Sequence, residues 1–327
     1  MKVEDSYHDH PEFPAFSRQQ TEIPLTPFLA SASSALQDAP MTAMDRPLRI
    51  DAHQHFWKYD PSEYGWISEE LAVLKRDFLP ADLKPLLEAS GFDGCVAVQA
   101  RQTLEESRWL LELADHADFI RGVVGWVDLC GPDLEAQLES LSRHPKFVGV
   151  RHVVQDEPDD RFMLREDFQR GIARLAGHGL TYDILIFPKQ LPAACELAAR
   201  FPEQRFVLDH IAKPPIASGG LSPWREGIES LARHPQVHCK LSGMATEADW
   251  GRWKIEDFRQ WIDIVIDAFG PARLMIGSDW PVCTLSASHA EAMEIVTSAL
   301  SRLSADERDG VLGGNAAAFY RLPKWGE

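Results

Sequence analysis

The pattern of apolar and polar residues becomes regular from Leu48 onward. Eight short runs are apolar through most of their middles, as expected for parallel strands that are buried on both faces. These predicted strands cover residues 49–55, 94–100, 122–129, 147–153, 181–187, 205–211, 237–243 and 274–280.

The segments between these runs carry apolar residues at the three- to four-residue spacing of helices with one buried face. Predicted helices cover residues 82–89, 103–116, 133–143, 166–178, 190–199, 224–234, 255–269, 288–303 and 305–320. Thr103 and Glu106 have the spacing of a capping box, which predicts that the second helix begins there.

This alternation of strand and helix predicts an α/β fold, a single (β/α)8 TIM barrel over residues 47–327. An open doubly wound sheet is the alternative, and it predicts a glycine-rich phosphate-binding turn after the first strand. The first strand here ends in HQHFW, which contains no glycine. The closed barrel is therefore favoured.

Residues 1–46 have a different composition from the rest of the chain. They are rich in Ser, Pro, Gln and Thr and show no sustained periodicity, which predicts a disordered N-terminal extension. Met41 and Met44 precede the first strand directly, so an alternative is that the native chain starts at one of them.

The charge indicates the class of partner, and the cysteines indicate the cellular compartment. The formal net charge is −17, which disfavours binding to nucleic acid and to anionic membrane surfaces. No apolar stretch approaches the ~18–20 residues of a membrane helix. Five scattered cysteines without a CxxC pair predict reduced thiols in a cytoplasmic protein. The expected partner is a small molecule, bound by a monomer or a homodimer.

Polar residues concentrate at the carboxyl ends of the predicted strands, where the active sites of such barrels lie. His53 and His55 end the first strand and share one face, because side chains alternate along a strand. Asp279 ends the eighth strand, where a carboxylate in an apolar run needs a partner or a metal. His210 ends the sixth strand, and alternation predicts that it points inward while Asp209 points outward.

Other strand ends supply candidates for substrate binding. Arg151 and His152 both end the fourth strand, and alternation predicts that one of them points inward. Lys240 lies in the middle of the seventh strand, which indicates either a functional or an ion-paired role. Lys213 follows the sixth strand and is expected to contact substrate or solvent, and Trp280 is expected to wall the pocket or to pack in the core.

Five motifs, in order along the chain, resemble those of a known family. They are HQHFW, GVRHVVQDEPDDRFM, VLDHIAKP, CKLSGMATEADW and GSDWPV. They resemble the metal-dependent hydrolases of the amidohydrolase superfamily, and within it the amidohydrolase 2 type of the sugar-lactonase group. The resemblance covers about residues 48–322.

The resemblance implies that water attacks the carbonyl of a sugar lactone such as L-fucono-1,5-lactone or L-rhamnonolactone. Asp279 would take the proton of the water and return it to the ring oxygen, beside His53, His55 and His210. By the same resemblance, Arg151, Lys240 and Trp280 would hold the sugar hydroxyls.

The resemblance also implies one divalent cation on His53, His55 and Asp279, with zinc as the expected ion, or catalysis without a metal. Members with two metal ions use a lysine at strand four and a histidine at strand five. Here strand four offers Arg151 and His152, and strand five contains no histidine, so a two-metal centre is not expected.

Two other functions remain open at this point. One is a related barrel hydrolase or decarboxylase that acts on a carboxylated, aromatic-derived lactone. Such a substrate needs several arginines, and only Arg151 and Arg101 are clear candidates, which favours a neutral, hydroxylated ring. The other is a sugar-acid-binding barrel without turnover, against which the intact set of histidines and Asp279 argues.

Overall fold

The computed structural model describes residues 47–323, in which eight parallel strands form one sheet in chain order. The strands are β1 Ile50–Gln54, β2 Gly94–Val98, β3 Ile120–Gly125, β4 Phe147–His152, β5 Thr181–Ile184, β6 Phe206–Leu208, β7 Val237–Leu241 and β8 Leu274–Ile276. This order confirms the predicted (β/α)8 barrel.

The helices lie between the strands along the chain, and a C-terminal pair follows the last unit. They are α1 Pro80–Ser90, α2 Leu104–His116, α3 Leu134–Leu141, α4 Glu166–Leu175, α5 Leu191–Arg200, α6 Trp224–Leu231, α7 Ile255–Phe269, α8 His289–Ala299, α9 Ala305–Asp309 and α10 Asn315–Tyr320. Helix α7 shows the predicted pattern: Phe258, Ile262 and Val265, at three- and four-residue spacing, are all buried.

Helix α2 begins as predicted, but the predicted capping box is only half formed. The hydroxyl of Thr103 accepts a hydrogen bond from the amide of Glu106 at 3.2 Å. The Glu106 carboxylate accepts instead from the amides of Ala100 and Arg101, at 3.0 and 2.8 Å. Glu106 therefore fixes the loop that leaves the carboxyl end of β2.

Strands β6 and β8 are three residues each, much shorter than the runs predicted over 205–211 and 274–280. The chain leaves the extended conformation after Leu208, and the four residues from His210 to Lys213 all have left-handed φ values of 47–60°. Asp279 is also left-handed, with a φ of 58°. The polar residues of both runs thus lie on turns beyond the strand ends.

Two hydrogen bonds at the carboxyl ends join the first and last strands. The His55 amide donates to the Trp280 carbonyl at 2.7 Å, and the Asp279 amide donates to the His53 carbonyl at 2.8 Å. The seam that closes the barrel therefore runs between the segments that carry the predicted catalytic residues.

Helix α10 packs against the amino-terminal ends of the strands. Its Phe319 and Tyr320 belong to the apolar cluster of the barrel interior, which also contains Ile50, Val96, Val207 and Met275. The Phe319 ring lies 4.6 Å from that of His238, near the start of β7. This helix thus covers the pole opposite the predicted active site.

The prediction for residues 1–46 lies outside the described residues and stays a prediction. None of the helices between residues 47 and 323 has the length and apolar character needed to cross a membrane.

Candidate active site

His53, in β1, and His55, directly after β1, both face the interior of the barrel. The pairing of β1 with β2 shifts register between Asp51 and Gln54. Asp51 bonds to Ser278, and Gln54 donates to the Cys95 thiol at 3.3 Å. His53 and His55 share the inner face, as predicted, because their Nε2 atoms are 3.2 Å apart and both lie within 3.8 Å of Asp279 Oδ1.

The Asp279 carboxylate lies at the centre of three imidazoles. Its Oδ1 is 3.4 Å from His55 Nε2, 3.8 Å from His53 Nε2 and 3.9 Å from His210 Nε2. The side chain is 6% exposed, so a small ligand at the mouth can reach it. The structure thus brings together all four residues that were predicted to be catalytic.

Asp51 holds the turn that carries Asp279. Its carboxylate accepts hydrogen bonds from the amide and hydroxyl of Ser278 at 2.9 and 2.6 Å, and from the amide of His53 at 3.1 Å. The residue is fully buried. Asp51 was not predicted to have a role, although a carboxylate in an apolar run was the same signal that identified Asp279.

The prediction that Asp209 points outward is wrong. Asp209 is fully buried inside the barrel, with Oδ2 at 3.1 Å from Arg151 and Oδ1 at 3.0 Å from Lys240. The neighbouring His210 also faces the site. Alternation of faces applies only to extended chain, and the left-handed turn after Leu208 lets two consecutive side chains enter.

The ring of His210 is held by the loop after β7. Its Nδ1 lies 3.0 Å from the Ser242 hydroxyl. Gly243 packs directly against the ring with a φ of 64°, and a Cβ there would overlap the imidazole. This close approach, together with the left-handed backbone, explains why a glycine stands at that position.

At the end of β4 the structure separates the two candidates. Arg151 points inward, and its guanidinium donates to the Gln99 side chain at 2.8 and 3.0 Å and lies 3.4 Å from His53 Nε2. His152 points the other way, stacks on the Phe162 ring and bonds to Glu157 at 2.7 Å. The structure therefore does not bring His152 to the site, and its predicted contact with substrate is not supported.

Lys240 lies beneath His53 and does not reach the open mouth. It is fully buried, and its Nζ is 2.6 Å from Asp183 Oδ2 and 3.1 Å from His53 Nδ1. The predicted contact with sugar hydroxyls is not supported by this position, whereas the predicted ion-paired role is. Asp183, on β5, was not predicted from the sequence, although it is a lone carboxylate in an apolar run.

Trp280 lies in the hydrophobic core, whereas Lys213 lies at the mouth of the barrel. Trp280 is buried, with its ring edge-on to Phe56 and Phe78, so it belongs to the hydrophobic core. Lys213 is half-buried at the mouth, with its Nζ 5.4 Å from the Phe187 ring. It remains a candidate for contact with substrate.

Burial sets the protonation of these groups. Burial holds the pKa of His53 and of His210 well below the ordinary value, so both imidazoles are neutral at neutral pH. Burial alone would raise the pKa of Asp279, but His210, His55 and Lys213 outweigh it and hold that pKa below its ordinary value. The site thus offers an ionised carboxylate beside the neutral imidazoles of His53 and His210.

His53, His55 and Asp279 fit one small divalent cation. Nε2 of His53, Nε2 of His55 and Oδ1 of Asp279 are separated by 3.2, 3.4 and 3.8 Å. Ligands of a tetrahedral ion at bond lengths of about 2.0–2.1 Å are roughly 3.4 Å apart. Because His55 Nδ1 lies 2.8 Å from the Val98 carbonyl, that nitrogen carries the proton and Nε2 presents a lone pair.

A second cluster, His53, Asp209 and His210, fits a cation less well. Asp209 is already paired with Arg151 and Lys240. Among the described residues, His53, His55 and Asp279 therefore fit an ion better than this second cluster does.

Comparison with known proteins places these observations in a family. The amidohydrolase family model matches residues 50–322. L-fucono-1,5-lactonase of Burkholderia multivorans is 46% identical over 288 residues, which are 85% of this chain and 97% of that protein. L-fucono-1,5-lactonase of Burkholderia ambifaria is 42% identical over 280 residues, which are 84% of this chain and 96% of that protein.

A solved structure agrees with the fold. The crystal structure of an amidohydrolase from Burkholderia multivorans with bound zinc superimposes with a TM-score of 0.82 at 45% identity. The match covers 84% of this chain and 100% of that one.

Proposed function

The chain belongs to the amidohydrolase family, and on that premise we propose that it hydrolyses the ring ester of a sugar lactone, with L-fucono-1,5-lactone as the first substrate to test. The observation that carries the proposal is the position of Asp279 Oδ1, 3.4–3.9 Å from three imidazole nitrogens at the mouth of the barrel. The names of the two Burkholderia relatives support the choice of substrate.

The proposed reaction begins with a water molecule beside the ionised Asp279. As the water oxygen bonds to the lactone carbonyl carbon, its proton passes to Asp279. The carbonyl oxygen becomes an oxyanion, which N–H groups of the site stabilise. The bond from that carbon to the ring oxygen then breaks, Asp279 returns the proton to the ring oxygen, and the product is an open-chain sugar acid.

The surrounding residues keep Asp279 in the form that this step needs. Neutral His210 flanks the carboxylate without neutralising it, and Asp51 fixes the turn that carries it. We propose that Lys213, which is half-buried and acts electrostatically on Asp279, contacts a hydroxyl of the sugar.

A bound cation would be held by His53, His55 and Asp279, and it supplies Lewis-acid polarisation of the carbonyl when present. We propose zinc as the ion to test, because the related Burkholderia structure contains it.

The charges at the site favour a neutral substrate over a polycarboxylated one. Arg151 already bonds to Asp209 and Gln99, and Arg101 already pairs with Glu63. A substrate with several carboxylates would have to displace these partners. A hydroxylated ring needs only donors and acceptors of hydrogen bonds, and the family members named above act on such a ring.

The proposal is tested with a panel of lactones and a pH indicator, because each turnover releases an acid. The panel contains 1,5- and 1,4-aldonolactones of several sugars and one carboxylated aromatic-derived lactone. We expect acid release from an aldonolactone and its loss in Asp279→Asn. Asp249→Asn, a partly exposed carboxylate of the β7–α7 loop, serves as the control and should keep activity. Release from the carboxylated lactone alone, or tight binding without release, would overturn the proposal.

We also propose a cellular environment and an oligomeric state for the protein. The five cysteines form no disulfide among the described residues, which supports a reducing, cytoplasmic environment. The oligomeric state, monomer or homodimer, is tested by light scattering.

A further inference from the structure

His289, at the start of α8, is a buried histidine that the proposed reaction does not use. The hydrogen bonds of the segment before it explain its position. The Cys283 amide donates to the Asp279 carbonyl, and the Ala287 amide donates to the Cys283 carbonyl, both at 2.8 Å. The chain after Asp279 is thus folded back on itself, so that α8 begins close to the turn that carries Asp279.

The ring of His289 lies between two polar side chains. Its Nδ1 is 3.2 Å from the hydroxyl of Ser90, the last residue of α1. Its Nε2 is 3.6 Å from Oδ2 of Asp51, and among residues 47–323 no hydrogen-bond partner lies closer to that nitrogen. A buried polar atom needs a partner, and the Asp51 carboxylate is the acceptor that Nε2 faces.

The carboxylate of Asp51 has an acceptor position left for His289. Its Oδ1 accepts from the amides of Ser278 and His53 at 2.9 and 3.1 Å, and its Oδ2 accepts from the Ser278 hydroxyl at 2.6 Å. A carboxylate offers about four lone pairs, two on each oxygen. The remaining position is on Oδ2, which is the oxygen that faces Nε2 of His289. Both groups are buried, so water screens their attraction only weakly.

The contact with His289 differs in origin from the hydrogen bonds that Asp51 makes inside the barrel. Those three bonds come from β1 and from the turn that carries Asp279, which are the two segments that Asp51 joins. His289 belongs to a helix outside the barrel, and its other ring nitrogen contacts a second helix, α1. The contact thus ties the Asp51 carboxylate, and with it the turn, to the helix layer.

We propose that His289 is a positioning residue, which interacts through Nε2 with Asp51 and thereby holds the turn that carries Asp279. It acts on the reaction through Asp51 and not by contact with substrate. The kinetic part of this inference rests on the proposed function, whereas the structural part concerns the turn alone. The alternative is an ordinary core histidine, whose replacement would lower stability without a selective effect on the turn.

Two substitutions separate the roles of the two ring nitrogens. The side-chain amide of glutamine reaches about as far as Nε2 of histidine, and that of asparagine reaches about as far as Nδ1. His289→Gln therefore keeps a donor toward Asp51 and loses the contact with Ser90, whereas His289→Asn does the opposite. Ser90→Ala is the matched control, because it removes the Ser90 contact and leaves the contact with Asp51 in place.

The turn is followed by hydrogen–deuterium exchange of the full-length protein, read by mass spectrometry of the peptide that contains the Ser278 and Asp279 amides. These amides donate to Asp51 and to the His53 carbonyl. We expect roughly 10-fold faster exchange there in His289→Asn, the size of one lost hydrogen bond, and wild-type exchange in His289→Gln and Ser90→Ala.

The amides of β3 are the internal reference, because a general loss of stability would speed their exchange as well. Equal exchange of the turn in the two histidine variants would overturn the inference. This readout needs no substrate, so it stands whether or not any lactone is hydrolysed.

Steady-state kinetics with the preferred lactone test the effect on catalysis. His289→Asn should lower kcat about 10-fold with KM unchanged, as for other groups that orient a catalytic residue indirectly, and His289→Gln should keep the wild-type kcat. An unchanged kcat in a His289→Asn protein whose turn exchanges faster would refute the positioning role. If His289→Asn does not fold, His289→Gln decides alone, and faster exchange of its turn relative to β3 would refute the inference.

Discussion

Glu106 offers a perturbation whose size follows from the structure. Its side chain is buried at the start of α2 and accepts hydrogen bonds from the amides of Ala100 and Arg101. Burial raises the pKa of Glu106 from 4.5 to about 7, and those two amides offset only part of the effect. Glutamine has the same shape and can still accept both hydrogen bonds, but it carries no charge.

The direction of the pH dependence follows from the raised pKa. A carboxyl group with a higher pKa in the folded state binds its proton more tightly there, so its contribution to stability is fully present below pH 4.5 and is lost as the pH rises through about 7. A shift of about 2.5 pKa units corresponds to about 3 kcal/mol of unfolding free energy. We therefore expect Glu106→Gln to gain about 3 kcal/mol over the wild type between pH 4 and pH 9.

The assay is thermal unfolding of both proteins across that pH range. At about 2.1 cal/mol/K of unfolding entropy per residue, about 3 kcal/mol corresponds to roughly 4–5 °C in Tm for a chain of this size. Glu105→Gln is the matched control, because Glu105 precedes Glu106 on the same helix and its side chain is 76% exposed. The Tm difference between Glu105→Gln and the wild type should stay constant with pH. A constant difference for Glu106→Gln as well would refute the reasoning.

Three further predictions concern the site. Asp51→Asn should lower kcat and lower the free energy of unfolding in urea by about 1–3 kcal/mol, because the side-chain amide cannot accept all three hydrogen bonds from Ser278 and His53. An unchanged free energy of unfolding would contradict the role of Asp51 in holding the turn that carries Asp279. Lys213→Met should raise KM with little change in kcat if the lysine binds a sugar hydroxyl, and steady-state kinetics with the preferred lactone decide this. Calorimetric titration of chelator-treated protein should show one zinc ion per chain, and Asp279→Asn should lose that binding; retention of zinc by the variant would remove Asp279 from the ligand set.

The sequence by itself determined the barrel and the core of the site. Continuous apolar runs and amphipathic segments are local patterns, and their eightfold alternation was sufficient to predict the order of strands that the structure shows. The carboxyl ends of parallel strands meet at one mouth, so His53, His55, His210 and Asp279 could be placed together without knowing any contact.

Only the tertiary structure decided how the groups around these four residues are used. The outward direction predicted for Asp209 relied on extended chain, and a left-handed turn after Leu208 removed that condition. The capping role predicted for Glu106 was local, whereas its actual partners lie in the loop that leaves β2.

The role of Lys240 depends on partners that are distant in sequence. Asp183 is 57 residues away and His53 is 187 residues away, and they meet only once the barrel has closed. A buried charge is tolerated only where opposite charges and hydrogen-bond partners surround it. The sequence shows that such a charge needs partners, but their identity is set by which strands become neighbours across the barrel.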